Sequence, residues 1–179
     1  MLLSIGCGTA QSILEVAADI RKKGVEPHIL LLDQDPISLA AARNLAEQMG
    51  LIDAIEIHCE RLFDKNGQPF DMMRILRGRK IDIAEDTGLR EYLPDQIYRN
   101  LTQVIWNNLT AGGIMATGNM NQNRRQPKFL HDLMGWQPHV IKRTIAKGFS
   151  LHEHSGIPKG CTKARVTRDG VYTLFSSYR

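Results

Sequence analysis

A short apolar run at the start of the chain stops at two closely spaced glycines. Residues 2–5 are apolar except for one serine, and Gly6 and Gly8 follow. From Ser12 to Lys23, apolar side chains recur at helical spacing, so the order predicts a buried strand, a glycine turn and a helix. Residues without a Cβ allow a tight turn and let a ligand approach the N-terminus of the next helix. A turn that binds no ligand is the structural alternative.

The alternation of strand and helix continues along the chain. We predict further strands at 28–32, 54–58, 80–85 and 114–117, helices at 12–23, 35–49 and, ended by Gly112-Gly113, 94–109, and a closing hairpin of 163–168 and 171–178. Two more helix candidates, 128–134 and 140–149, lie in a polar stretch. Strands that alternate with helices form a parallel sheet, whereas a turn such as Asp169-Gly170 joins antiparallel strands. The predicted fold class is therefore α/β, with a mostly parallel seven-stranded sheet.

The composition argues against several classes of protein. No apolar run approaches the roughly 20 residues that a membrane-spanning helix needs. Cys7, Cys59 and Cys161 are far apart, and the histidines do not cluster with carboxylates, which argues against a zinc site or a disulfide framework. Met1 leads almost directly into the first strand, without the pattern of a secretory leader. We therefore expect a cytoplasmic protein with no protein-bound metal.

The charge is distributed unevenly along the chain. Residues 1–100 contain 12 Lys and Arg against 16 Asp and Glu, whereas residues 101–179 contain 11 against 3. A basic C-terminal part attracts an anionic small molecule or a nucleic acid. A solvated basic face without a ligand is the equal alternative.

Asp33 stands at the end of the second predicted strand. A carboxylate in this position can accept hydrogen bonds from both hydroxyls of a ribose. A dinucleotide-binding fingerprint would need a third glycine at position 11, which is Gln11 in this chain. The residues therefore argue against a dinucleotide, although ribose recognition also serves adenosyl cofactors. An acid in a simple strand-end turn is the structural alternative.

Four segments resemble, in the right order, the motifs of class I S-adenosylmethionine-dependent methyltransferases. They are residues 3–10 (LSIGCGTA), 31–36 (LLDQDP), 81–89 (IDIAEDTGL) and 109–114 (LTAGGI), and the last hairpin is similar to strands six and seven of that family. The resemblance implies a Rossmann-like three-layer sandwich that binds S-adenosyl-L-methionine and transfers its methyl group. It also implies a single domain over 1–179, and because the chain starts at the first strand, we expect it to lack the N-terminal cap of many members.

The resemblance assigns residues to the cofactor. The glycine turn and Asp33 are expected to hold the adenosyl group, residues after strand three to contact the adenine, and Asp86 to face the amino group of the methionine moiety. The implied cofactor residues are Gly6, Cys7, Gly8, Thr9, Asp33, Gln34, Arg61, Leu62, Asp86 and Thr87, with Glu60 and Glu85 beside them. Polar strand-end turns and surface charges without a ligand are the structural alternatives.

A closer likeness concerns the methyl acceptor. Gly88-Leu89, Tyr92-Leu93, residues 118–121 and Arg143-Thr144 resemble a bacterial branch that includes hydroxy-fatty-acid methyl ester synthases. That branch implies an anionic small molecule methylated at a carboxylate, with which Arg143 would pair; an exposed arginine without this role is the alternative. The substrate candidates are Tyr92, Asn119, Asn121 and Arg143, followed by His131 and Trp136. No catalytic residue is assigned, because an ionised carboxylate needs no general base.

Two other functions stay open at this point. The basic C-terminal part suits an RNA methyltransferase. However, residues 85–88 lack the Asn/Asp-Pro-Pro-aromatic tetrapeptide of enzymes that methylate base amino groups. A non-catalytic module that binds the cofactor or a protein partner is the other alternative.

Overall fold

A seven-stranded sheet with helices on both faces forms the centre of the molecule. The structure is a computed structural model, and it describes residues 1–69, 72–124, 132–133 and 140–179. The strands are β1 (Leu2–Ile5), β2 (Ile29–Asp33), β3 (Ile55–Cys59), β4 (Ile81–Asp86), β5 (Leu109–Met120), β6 (Thr162–Val166) and β7 (Tyr172–Tyr178). The helices are α1 (Gln11–Lys22), α2 (Pro36–Gln48), α3 (Met72–Leu76), α4 (Asp95–Asn108) and α5 (Ile145–Glu153), with one-turn 3-10 helices at Ile52–Ala54 and Arg90–Tyr92.

The strands lie in the order β3-β2-β1-β4-β5-β7-β6. The first five strands in this order are parallel to one another, and β7 runs antiparallel to both β5 and β6. The predicted α/β class, the mostly parallel sheet and the antiparallel hairpin are therefore confirmed. Because the chain moves outward from β1 first to one side and then to the other, the carboxyl ends of β1, β2 and β4 border a topological switch point, where ligands bind in open α/β sheets.

Strands β1 and β2 are buried on both faces because apolar residues occupy every position except Ser4 and Asp33. Leu2 and Leu31 face the core that α1 and α2 cover, in which Ala17 is fully buried. Leu3 and Leu30 face the opposite core, beneath α3 and α4. Helices on both sides of a parallel sheet require such continuous apolar strands.

Local signals in the sequence determine where α2 begins. The Asp35 carboxylate accepts hydrogen bonds from the N–H groups of Ile37 and Ser38 at 3.0 and 3.2 Å, and Pro36 occupies the first position of the helix. Both features match the predicted helix start, since a proline in the first turn removes no intrahelical hydrogen bond. Across the described ranges, no helix is long and apolar enough to cross a membrane.

The start of β5 differs from the prediction. Helix α4 ends at Asn108, one residue before its predicted end, but β5 begins at Leu109 rather than at Ile114, because Leu109 adopts an extended backbone and pairs with Ile81 of β4. Gly112 and Gly113 therefore lie inside the strand, where the register with β4 shifts. Gly112 has a φ of 81°, a conformation that favours glycine at such an irregularity.

The later helices also differ from the prediction. The helix expected at 140–149 begins five residues later, where Thr144 accepts a hydrogen bond from the N–H of Lys147 at 3.1 Å and caps α5. The five-residue helix α3 was not predicted, because so short a segment shows no periodicity. Most of the candidate helix at 128–134 lies outside the described residues.

Gly148 of α5 packs directly against Phe175 of β7. A Cβ at Gly148 would lie 2.1 Å from the ring Cζ, so the Gly148→Ala variant should overpack this contact and lower the free energy of unfolding by about 1–3 kcal/mol in urea denaturation. Phe175→Leu should relieve the overlap, so the double variant should lose less than the sum of the single losses. If the losses of the two single variants simply add in the double variant, the contact between Gly148 and Phe175 does not determine the loss of stability.

Glu56 ties β3 to the turn before β4. Arg79 Nη1 donates to Glu56 Oε2 at 2.8 Å, and this bond, with a smaller effect of His58, lowers the pKa of Glu56 from 4.5 to about 2. Since the pKa is lower in the folded state, the stabilisation is complete above about pH 4.5 and is lost as the pH falls towards 2.

The Glu56→Gln variant tests this pH dependence. We expect the difference in free energy of unfolding between wild type and Glu56→Gln to shrink between neutral and acidic pH in urea titrations, because protonation removes the same ion pair. Glu47→Gln, on the exposed side of α2, is the control and should differ little from wild type at either pH. A difference that is independent of pH would contradict the assignment.

Candidate functional site

The glycine turn is bonded to the end of β2. The N–H groups of Gly6 and Cys7 both donate to the carbonyl of Leu32, at 2.8 and 3.1 Å. Gly6 and Gly8 have φ angles of 62° and 52°, which glycine adopts without strain. A Cβ at Gly8 would meet no atom within 4 Å, so open space lies beside the turn.

Helix α1 begins directly behind the turn with its first backbone donors uncapped. Its N-cap residue is Ala10, in the left-handed conformation with a φ of 56°, and no side chain caps the helix. The first N–H groups of a helix have no acceptor within the helix, and the helix dipole adds positive potential there. The space beside Gly8 therefore adjoins donors that suit a carboxylate or another anionic group.

Asp33 lies beside the glycine turn. Its Oδ2 accepts a hydrogen bond from the N–H of Gly8 at 2.8 Å, and its Oδ1 accepts one from the N–H of Asp35 at 2.9 Å. The side chain is partly exposed, and each carboxylate oxygen keeps a lone pair for a further donor. The turn and the acid thus form one site, and the exposed Thr9 and Gln34 stand next to it in the chain.

The residues that follow β3 reach the same edge of the sheet. The N–H of Glu60 donates to the carbonyl of Asp33 at 2.9 Å. Arg61 is exposed, whereas Leu62 is partly buried against the core. The carboxylate of Glu60 accepts a hydrogen bond from Arg74 at 2.5 Å. The fold therefore brings Arg61 and Leu62 to the side of Asp33.

Both acids at the end of β4 are engaged within the chain. Glu85 accepts hydrogen bonds from the hydroxyl of Ser4 and from the N–H and hydroxyl of Thr87. Asp86 is 1% exposed and forms a bidentate ion pair with the equally buried Arg90, at 2.5–2.9 Å. Burial raises the pKa of Asp86 to about 6 against the opposing effect of Arg90, so the carboxyl is ionised at neutral pH. Arg90 is thus the cation that Asp86 meets, and Thr87 stays exposed.

Cys7 is a neutral thiol at the centre of the glycine turn. Burial, with the nearby carboxylates of Asp33 and Glu85, raises its pKa to about 12. The thiolate is the reactive form of cysteine, so Cys7 is not a nucleophile at neutral pH. Among the residues that the structure describes, no group of three or more His, Cys, Asp or Glu is placed to hold a metal ion.

Arg143 is buried, and its five N–H donors are all engaged within the chain. Its Nε and Nη2 donate to Asp95 at 3.0 and 2.9 Å, and its Nη1 donates to Oδ1 of Asn119 at 2.6 Å. The carbonyls of Arg90 and Leu93 accept the remaining bonds, at 3.0 and 2.5 Å. The alternative of a solvent-exposed arginine is wrong, because these acceptors surround a side chain that is only 4% exposed.

The other predicted substrate residues occupy different environments. Asn119 is 2% exposed, and its Nδ2 donates to the carbonyls of Met120 and Ile141. Asn121 is also buried and accepts a hydrogen bond from the N–H of Asn123, whereas Tyr92 is exposed. His131 and Trp136 lie outside the described residues.

A buried aromatic side chain connects the two arginines. The guanidinium carbons of Arg90 and Arg143 lie 4.5 and 5.1 Å from the ring centroid of Tyr98. The hydroxyl of Tyr98 is hydrogen-bonded to Nε2 of His152 at 2.8 Å, and burial lowers the pKa of His152 to about 3. A neutral imidazole therefore completes this contact, and cation–π attraction is strongest when the groups are desolvated, as they are here.

Glu91, one residue before Tyr92, is a further acid at this edge that was not among the predicted residues. Glu91 is 1% exposed, and the hydroxyl of Tyr172 donates to its Oε1 at 2.8 Å. The available signal was its position, five residues beyond the last residue of β4 and therefore at the same edge of the sheet as the glycine turn.

The contacts of Arg143 predict a loss of stability on conservative replacement. Arg143→Lys keeps the charge but leaves several buried acceptors without donors, so the free energy of unfolding should fall by about 2–4 kcal/mol in urea denaturation. Arg165→Lys, on the exposed side of β6, is the control and should change stability by less than about 0.5 kcal/mol. Equal stability of the two variants would contradict a structural role for Arg143.

The chain matches a known family model and several solved structures. The family described as "Methyltransferase domain" matches residues 1–173. No curated protein matches the sequence.

The similar solved structures share the fold at low identity. A protein described as a putative O-methyltransferase from Nostoc punctiforme is 15% identical, with a TM-score of 0.76 over 99% of this chain and 51% of that one. An O-methyltransferase family protein from Burkholderia thailandensis is 18% identical, with a TM-score of 0.72 over 99% and 50%. The magnesium protoporphyrin IX methyltransferase from Synechocystis, solved with bound SAH, is 12% identical, with a TM-score of 0.68 over 100% and 73%. The chain thus spans about half the length of the first two proteins.

Proposed function

This chain belongs to the methyltransferase domain family, and from that premise we propose that it binds S-adenosyl-L-methionine and transfers the methyl group to a small molecule. The hydrogen bond from Gly8 to Asp33 carries the proposal. It holds a partly exposed carboxylate beside an open glycine turn, at the ends of two neighbouring parallel strands. This is where an adenosyl group would need both close backbone approach and an acceptor for its ribose.

The residues present fit the proposed cofactor. The free lone pairs of Asp33 suit the ribose hydroxyls, and the uncapped N-terminus of α1 suits the carboxylate of the methionine moiety. Arg61 and Leu62 stand beside Asp33 for the adenine. Asp86 contributes indirectly, because its carboxylate holds Arg90 and thereby the loop after β4.

In methyl transfer, the main contribution of the protein is to position the two reactants. S-adenosyl-L-methionine supplies, when bound, a methyl group on a positively charged sulfur. The chain has to hold the acceptor in line with that group, and good orientation contributes on the order of 7–11 kcal/mol to catalysis. Tyr92, which is exposed beyond the end of β4, is the residue we propose to face the acceptor, whereas Thr87, also exposed, stays assigned to the cofactor.

The nature of the acceptor follows less directly from the contacts. The likeness to hydroxy-fatty-acid methyl ester synthases implies a carboxylate, and the basic C-terminal part suits an anion. Arg143, however, has no donor left for a substrate carboxylate. A carboxylate acceptor is therefore supported only by sequence likeness and overall charge, whereas the buried contacts favour a neutral acceptor.

The Asp33→Asn variant tests the cofactor site. The amide keeps one acceptor oxygen for the turn but loses the charge and the second acceptor, so the affinity for S-adenosyl-L-methionine measured by calorimetry should fall about 10- to 100-fold. The control is Asp53→Asn. Asp53 lies after α2, where its carboxylate pairs with Arg21 of α1, so this variant should bind the cofactor as wild type does. Wild-type protein that fails to bind, or Asp33→Asn that binds equally well, would overturn the proposal.

A transfer assay separates the proposed function from its alternatives. Release of S-adenosylhomocysteine is measured with small carboxylic acids, alcohols, phenols and RNA as acceptors. Turnover on a small molecule supports the proposal. Turnover on RNA with strongly salt-dependent binding would favour the nucleic-acid enzyme. Cofactor binding without any turnover would favour a non-catalytic module.

A further inference from the structure

Glu91 carries a buried carboxylate oxygen that has no partner. The side chain lies in the 3-10 turn Arg90–Tyr92 and is 1% exposed. The hydroxyl of Tyr172 donates to Oε1 at 2.8 Å, but Oε2 is also buried and has no hydrogen-bond partner in the part of the chain that the structure describes. A buried acceptor without a donor costs free energy, so a native structure that keeps one calls for an explanation.

Two nearby acids are neutralised by cations, whereas Glu91 is not. Asp86 pairs with Arg90, and Asp95 pairs with Arg143 and with an exposed lysine of α5. None of the ion pairs between described residues includes Glu91. A negative group with free lone pairs therefore remains at this edge, where it attracts a hydrogen-bond donor and repels an anion.

Glu91 lies at the same edge of the sheet as the proposed cofactor site. A Cβ at Gly6 would come within 3.4 Å of the side chain of Leu89, so the residue two positions before Glu91 borders the glycine turn. Tyr172, which holds Glu91, pairs with Met120 at the last residue of β5. Both contacts place Glu91 at the carboxyl edge of the sheet, beyond β4 and β5.

Apolar surface is exposed on either side of Glu91. Tyr92, the next residue, is 48% exposed, and Ile141 is 38% exposed. The N–H of Ile141 donates to the carbonyl of Glu91 at 2.6 Å, so the backbones of these two apolar residues adjoin that of Glu91. A ligand that approaches this turn would therefore meet an aromatic ring and an aliphatic chain at the surface.

We propose that Glu91 is a catalytic residue that binds the hydroxyl group of the methyl acceptor, an alcohol or phenol with an apolar body, and takes its proton. This inference rests on the proposed methyl-transfer function. The hydroxyl donates to Oε2 of Glu91, and its proton passes to that oxygen as the acceptor oxygen bonds to the methyl carbon. The electron pair of the broken carbon–sulfur bond stays on sulfur, and Glu91 later releases the proton to water.

Tyr172 is a positioning residue in this arrangement. Its hydroxyl fixes Oε1, which leaves Oε2 for the acceptor. Burial, together with the hydrogen bond to Glu91, raises the pKa of Tyr172, so the phenol remains a donor at neutral pH. Because Oε2 is buried, a covering side chain has to move when the acceptor binds, as occurs in many enzymes that close around their substrates.

Binding of two fluorinated probes tests the proposal. Fluorine NMR titrations of 4-fluorophenol and 4-fluorobenzoate are made on protein loaded with S-adenosylhomocysteine. Wild type should bind the phenol more tightly than the benzoate, because the buried carboxylate repels an anion. Glu91→Gln should bind the phenol about tenfold more weakly or worse, since the bond to a charged acceptor is lost. Glu47→Gln is the matched control and should bind as wild type does.

Tyr172→Phe distinguishes the two members of the pair. This variant keeps the charge and Oε2 of Glu91, so its affinity for the phenol should stay within about threefold of wild type. That change is smaller than the one expected when a hydrogen bond to a charged group is lost. A loss equal to that of Glu91→Gln would show that the phenol meets Tyr172 instead. Any transfer to 4-fluorophenol should slow on the order of 100-fold in Glu91→Gln, as expected on loss of a general base.

Three results would overturn the assignment of Glu91. They are tighter binding of the benzoate than of the phenol by wild type, equal binding of the phenol by wild type and Glu91→Gln, and no binding of the phenol by loaded wild-type protein. The first and third use no variant, so they hold even if Glu91→Gln fails to fold. If wild-type protein does not bind S-adenosylhomocysteine in calorimetry, the proposed function fails, which is a distinct outcome.

Discussion

The parallel pairing of β1 with β2 determines the geometry of the candidate site. Its register sets Ile5 opposite Leu32, so Gly6 and Asp33 follow at the same level, and the carboxylate reaches the N–H of Gly8. A slip of one residue would turn Asp33 to the other face of the sheet, because side chains alternate along a strand. The apolar residues of β1 and β2, buried on both faces, thus fix the position of the acid.

Buried ion pairs fix the part of the carboxyl edge of the sheet that lies beyond β4 and β5. Arg90 and Arg143 fasten the loop after β4 to the segment before α5, and Tyr98 lies within 5.1 Å of both guanidinium groups. Pairs of this kind contribute little net stability compared with apolar packing, but removing one partner is costly because a buried charge is left behind. They therefore set the shape of this edge more than they strengthen the fold. Among the described residues of this edge, Glu91 is a fully buried acid without an ion pair.

The sequence was sufficient to predict those elements whose structure is determined by residues close together in the chain. The apolar runs of β1 and β2 and the pair Asp35-Pro36 predict strands and a helix start without reference to the rest of the chain. It was insufficient where distant residues decide it. Arg143 is buried because its partner Asp95 lies 48 positions away, and no local pattern reveals this. For the same reason Tyr172, 81 positions from Glu91, could not be assigned to the site.

The protonation state of Cys7 has a chemical consequence for a chain that holds a methyl donor. A sulfonium methyl group alkylates thiolates readily, and this thiol belongs to the turn that we propose to face the cofactor. Because burial and two carboxylates keep the sulfur protonated, its nucleophilicity is suppressed next to a reactive electrophile. Burial of the turn, more than its two acids, thus holds this sulfur in its less reactive form.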